Sequence, residues 1–170
     1  SMGNKHRLLR LGALGNIEKQ YFERQTLQMG ACIGLAGDGV VQVAHNGKII
    51  RVNPADDHTE VFDYSGVLPY GHEVRAMAQT ANGYWWFATD FGLLEAVPEK
   101  GAFRFGIHKQ NPADPDALRN ENIACLLVDP ADAALLWMGT KGGGLECLDT
   151  RTGKVRHFST KNGLPNDVIY

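Results

Sequence analysis

The sequence is short of the features that mark most functional classes. It holds three cysteines in 170 residues. Cys32, Cys125 and Cys147 form no CxxC or other metal spacing, and each stands in an apolar stretch, which predicts buried free thiols over a disulfide or zinc site. Neither sign of charge is in excess: 17 Lys+Arg against 19 Asp+Glu leave a net charge of −2, so nothing electrostatic points to nucleic acid. No apolar run nears the length that spans a bilayer, and no signal peptide is visible. Ser1-Met2-Gly3 reads as an expression remnant, so a missing signal peptide says nothing about the native compartment. The six histidines include no i, i+4 pair of a helical zinc site. No cofactor and no metal is expected.

Phosphate chemistry is also missing. Gly142-Gly143-Gly144 invites comparison with a phosphate-cradling loop, but the P-loop spacing is absent: Gly153-Lys154 is followed by Val155, and Leu148 stands where the earlier glycine belongs. No amphipathic helix follows the glycines, so no helix N-terminus is on offer. A strand-to-strand turn is the better reading. "NPADPDALRNEN" (111–122) lacks the glycine of a calcium loop and carries Pro115 inside it. Asn/Asp-Pro turn initiation explains it, together with 53–57 and 129–132.

What is present is a repeat. "WMGTKGGGLECL" from Trp137 matches "WFATDFGLLEAV" from Trp86 without gaps. Trp86 pairs with Trp137, Thr89 with Thr140, Gly92 with Gly143, Leu94 with Leu145 and Glu95 with Glu146. A fainter copy starts at Val41, which takes the tryptophan's place, and Gly47 keeps the turn glycine. A period of this size with four short strands per unit suits a β-propeller blade. The spacing predicts strands at 31–36, 40–44, 48–52 and 60–63, at 74–79, 84–88, 93–97 and 102–107, and at 123–128, 135–139, 145–148 and 154–158. Residues at a recurring position pack blade on blade, so Trp86 and Trp137 are expected in the core, and truncating Trp137 there costs ~3–5 kcal/mol.

The chain then divides into a remnant (1–3), the outer strands of a partial blade (4–22), three blades (23–64, 65–109 and 110–160) and the start of another (161–170). The fold is all-β, with four-stranded antiparallel blades of a larger propeller. Unpaired strand edges at both ends call for the remaining blades or another copy of the chain as partner.

These residues resemble the two-component regulator propeller repeat. Its pattern is a G-L-P-x-x-x-V joint, a first strand, then W-x-G-T-x-G-G-G-L and an apolar strand ending in Asp. "KNGLPNDVIY" (161–170), "GVLPYGHEVRAM" (66–77) and "DALRNENIACLLVD" (116–129) look like the joints, and "LLWMGTKGGGLECLD" (135–149) is the nearest copy of the rest. The resemblance covers about residues 23–170. It implies the extracytoplasmic sensor region of a bacterial membrane-bound signalling protein, where the propeller recognises a ligand such as a glycan or transmits its binding. A histidine kinase or diguanylate cyclase output would lie elsewhere in the parent chain. No catalysis is expected here, and membrane contact comes only through the parent.

In propellers the joints and the hairpins between second and third strands line one rim. That nominates Tyr70, His72, Glu73, Arg119, Asn120 and Asp167 from the joints, and His45, Asp90, Phe91 and Lys141 from the hairpins. Two other readings stand beside the sensor. One is a propeller enzyme of lyase or glycosidase type, with convergent acids and histidines. The other is a structural, protein-binding propeller.

Overall fold

The computed structural model describes residues 9–11, 17–20, 32–36, 38–45, 47–69 and 71–170. Strands β1 (Leu9–Leu11) and β2 (Ile17–Gln20) form an antiparallel pair. Three four-stranded antiparallel meanders follow. The first comprises β3 (Cys32–Leu35), β4 (Val41–His45), β5 (Lys48–Val52) and β6 (Thr59–Asp63). The second comprises β7 (Val74–Gln79), β8 (Trp85–Thr89), β9 (Gly92–Glu99) and β10 (Ala102–His108). The third comprises β11 (Ile123–Val128), β12 (Leu135–Thr140), β13 (Leu145–Asp149) and β14 (Lys154–Phe158). Among the described residues the sole helix is one 3-10 turn, Thr160–Asn162. In the three sheets the strands lie within one or two residues of the expected bounds. The first strand β7 contacts β3 on one side and β11 on the other, so the sheets fan out from a common inner edge as propeller blades do.

Strand alternation builds the core between blades. On β8, Trp85 and Phe87 face the first sheet, where they meet Ala44 and Ile49. Trp86 and Ala88 face the third, where they meet Leu136, Met138 and Leu148. All five residues of β8 are buried because both faces are covered.

Pairing corrects the repeat alignment at two places. In the second blade Thr89 pairs with Gly92, and the Thr89 hydroxyl donates to the Gly92 carbonyl at 2.6 Å. In the third blade the Thr140 hydroxyl donates to Gly144 at 2.9 Å. The counterpart of Gly92 is therefore Gly144, not Gly143, since the third blade's turn holds one more residue. Beyond it Leu145 answers Leu93, not Leu94, and Glu146 answers Leu94, not Glu95. In the first blade His45 pairs with Lys48 and Ala44 with Ile49, as Thr89 does with Gly92 and Ala88 with Leu93. The tryptophan position is then Gln42, not Val41, and Gly47 answers Phe91. A slip of one residue moves a side chain to the other face of the sheet.

The tryptophan position has a local function that explains the exception. The Trp86 indole N–H donates to Thr80 Oγ1 at 2.9 Å, and that of Trp137 donates to Asp129 Oδ2 at 2.8 Å. Each ties the second strand to the turn before it. In the first blade the residue matching Thr80 is Ala36, which shares its backbone bond to the residue four ahead. Tryptophan and its acceptor are thus absent together. Gln42 is fully buried, and among the described residues neither its amide nitrogen nor its amide oxygen has a hydrogen-bond partner. Unpaired buried amide groups cost about 1–3 kcal/mol. Gln42→Met, an apolar side chain of similar length, is expected to raise stability by about 1 kcal/mol or more. A lowered urea midpoint would show that the amide is satisfied in solution.

Trp137 departs from expectation. Its side chain is only half-buried, and its cross-strand neighbour Leu127 is 62% exposed. No fourth sheet lies on that face among the described residues. Of the cysteines, Cys147 is buried, while Cys32 and Cys125 are half-buried; all three are free.

Candidate functional site

Each rim hairpin is held by backbone from the following joint. Gly92 N donates to Glu121 O at 2.8 Å, and Gly144 N donates to Asp167 O at 2.8 Å. Both glycines need their missing side chain. A Cβ on Gly92 would lie 2.4 Å from the His108 carbonyl, and one on Gly144 would lie 2.2 Å from that of Phe158. Strand four, hairpin and joint thus interlock, with backbone packed on backbone.

The nominated residues fall into separate groups on this scaffold. At the second blade, His72 Nδ1 lies 3.2 Å from Asp90 Oδ1, and Glu73 N donates to the same oxygen at 3.1 Å. The His72 and Phe91 rings are 4.3 Å apart. Two residues not anticipated complete the group: Lys109 Nζ sits 2.8 Å from the Phe91 ring centroid and 3.0 Å from Glu121. A cation over an aromatic face is favourable, so this group bridges two joints through one hairpin. Arg75, on β7, reaches across to Asn122 and the Ile123 carbonyl.

At the third blade, Asn120 Oδ1 accepts from Asn122 N at 2.8 Å. Lys141 N donates to Asn122 O at 2.8 Å, and its side chain is exposed. Asp167 is committed to Thr160: its carboxylate accepts from Thr160 N at 2.6 Å and Thr160 Oγ1 at 3.1 Å. His45 is buried at the end of β4, where Thr89 and Thr140 stand in the other blades. Tyr70 lies outside the described residues. Glu73, Arg119 and Lys141 keep side chains in partial or full contact with solvent.

Sequence reasoning also missed Glu146 as a site residue, having read it only as a repeat position. The inserted turn residue places it toward the second blade, and it is fully buried. Its carboxylate accepts from Arg119 N at 3.2 Å. Burial pushes its pKa up to about 7, against hydrogen bonds from the Arg119 and Asn120 N–H groups, which favour the anion. The joint that caps it, 109–122, is longer than its counterpart 64–73 and folds over the third blade's outer strand. Asp116 O accepts from Val155 N at 2.8 Å, and Asp116 Oδ2 pairs with Lys154 at 2.8 Å. Between this joint and β14 runs a groove of about 390 Å³, with Leu93, Leu118 and Leu148 along its floor and Asp114, Lys109 and Lys154 along its edges.

Solved structures share the fold. The chain superposes on the extracellular domain of the hybrid two-component system BT3049 from B. thetaiotaomicron with a TM-score of 0.64 at 20% identity, covering 81% of this chain and 19% of that one. For the extracellular domain of BT4673 from the same organism the TM-score is 0.62 at 15% identity, over 81% and 18% of the two chains. Virginiamycin B lyase from Staphylococcus aureus gives a TM-score of 0.62 at 16% identity, over 89% of this chain and 48% of the lyase. The chain therefore spans about a fifth of the two extracellular domains and about half of the lyase. No protein-family model matches it, and no curated protein does. Likeness at these identities shows the fold, an all-β propeller architecture.

Proposed function

We propose that the chain is a section of a sensor propeller of the two-component regulator type. It would lie outside the cytoplasmic membrane in a signalling protein anchored in the inner membrane, and would recognise a ligand or pass on its binding without catalysis of its own. The observation that carries this reading is the backbone lock, made twice, between a W-x-x-T hairpin and the joint that follows it, the second of these joints carrying Gly-Leu-Pro at 163–165, in a fold shared with two extracellular two-component domains. The rim supports recognition over chemistry. Asp90 and Asp167 are held by backbone N–H groups, while Glu73, Arg119 and Lys141 offer polar contacts of both signs. A carbohydrate, rich in hydroxyls, is a ligand such side chains can bind. Kinase or cyclase output belongs to the rest of the parent chain, and further blades or a second copy would cover the Trp137 face.

The coding sequence on either side of this segment tests the reading. Further W-x-G-T repeats, then a membrane span and a kinase or cyclase, are expected. A reading frame that closes within a blade or two and encodes no membrane span would remove the sensor role and bring a propeller enzyme forward.

A further inference from the structure

Glu146 and His157 are cross-strand neighbours on β13 and β14, and together they hold the long joint at two places. Arg119 N donates to the Glu146 carboxylate at 3.2 Å. His157 Nε2 lies 3.1 Å from the Pro115 carbonyl. A carbonyl oxygen only accepts, so Nε2 carries the hydrogen and the neutral ring presents a lone pair at Nδ1. That Nδ1 is buried without a hydrogen-bond partner among the described residues, and Glu146 Oε2 faces it at 3.7 Å. An ionised carboxylate has no hydrogen to offer. A carboxylic acid does.

We propose that Glu146 and His157 form a one-proton clasp on the joint 109–122. A proton taken from solvent onto Glu146 Oε2 draws the two side chains from 3.7 Å to hydrogen-bond length, about 3 Å, and is donated to His157 Nδ1, completing a run from Arg119 N–H through Glu146 and His157 to the Pro115 carbonyl. No other bond changes. Proton loss reopens the run at Nδ1 and leaves in the interface between blades an anion held by the joint's N–H groups alone. The joint is one wall of the 390 Å³ groove, so the clasp links external proton concentration to the shape of that groove.

The surrounding charges are few. Arg119 and Asp116 of the joint act on the pair. Lys154 of β14 is tied to Asp116 at 2.8 Å, and Arg156 lies against Cys147, whose side chain is on the opposite face to Glu146. The second blade brings Glu95 and His108 to the same interface, 3.2 Å apart and facing each other. The hairpin contributes Gly143 and Thr140, which do not titrate. Burial raises Glu146 and lowers His157, so both favour their neutral forms, as the clasp requires.

The sign follows from linkage. Glu146, raised from 4.5 to about 7, contributes stability that is complete below 4.5 and lost as pH rises through about 7. His157 is lowered from 6.5, so its contribution is present above 6.5 and lost as pH falls through its folded value. The clasp therefore closes as pH drops through about 7 and holds until the imidazole becomes charged.

Amide hydrogen exchange at Val155, whose N–H donates to the Asp116 carbonyl of the joint at 2.8 Å, measured in the full chain and corrected for the intrinsic pH dependence, tests this. Protection is expected to be about tenfold or more greater at pH 6 than at pH 8. In Glu146→Gln the carboxamide oxygen still accepts from the joint and its N–H₂ donates to Nδ1, so protection should be high and equal at both pH values. Equal protection in the wild type, or undiminished pH dependence in the variant, would overturn the clasp. Should the variant not fold, the Glu146 side-chain carboxyl carbon resonance of the wild type decides. A midpoint near 7 supports the proposal and one near the ordinary glutamate value ends it.

Discussion

Replacing Trp86 by alanine is expected to destabilise the chain by about 3–5 kcal/mol, and replacing Trp137 to cost only about 1–2 kcal/mol. The two residues occupy the same repeat position and cap the same turn, so the difference isolates the neighbour. Trp86 is 2% exposed, with Leu136, Met138 and Leu148 of the third blade packed over it. Removing it leaves a cavity between sheets that close-packed backbones cannot refill. The Trp137 ring lies 5.6 Å from Phe158 but is open on its outer face. Urea unfolding of both variants, followed by far-ultraviolet circular dichroism, supplies the comparison. Equal, large losses would mean that the outer face of the third blade is covered in solution, and sedimentation of the wild type would then reveal a second copy.

Gly144→Ala is expected to cost about 3 kcal/mol or more, and Gly92→Ala a similar amount. Gly144 has φ +81 and Gly92 φ +120, a region that L residues adopt at a cost. In both, the added Cβ would collide with a main-chain carbonyl that the interlock holds in place. Gly153 is the control. It has φ +74 with open space around it, so alanine there should cost about 1–2 kcal/mol. If Gly144→Ala and Gly153→Ala prove equally mild, the rim is looser than the backbone packing requires.

Much of the fold was legible because its signals are local. The strands at 48–52, 74–79, 123–128 and 154–158 have the expected bounds, since alternation and turn residues report on their own neighbourhood. Asn82 illustrates this: its side-chain oxygen accepts from Tyr84 N at 3.1 Å and builds the turn read from Ala-Asn-Gly. Asp90, Phe91 and His72 were also placed on one rim by fold analogy, and they do meet. Lys109 and Arg75 escaped notice, and Glu121 was weighed only as part of a calcium loop, because their contacts cross between blades and no spacing records them.

Sequence alone determined the all-β class, the order of the strands and the repeat, because these depend on side-chain period and turn chemistry along the chain. Only the tertiary structure decided register. Five identities aligned Trp137–Glu146 with Trp86–Glu95 without a gap, yet one extra residue in the third blade's turn reversed the facing of everything after it. A strand's side chains alternate with a period of two, so that residue separates the partly exposed Glu95 from the buried Glu146. Burial was settled in the same way. Whether a repeat tryptophan is core or surface depends on the sheet that packs against it, and not on the residues beside it in the chain.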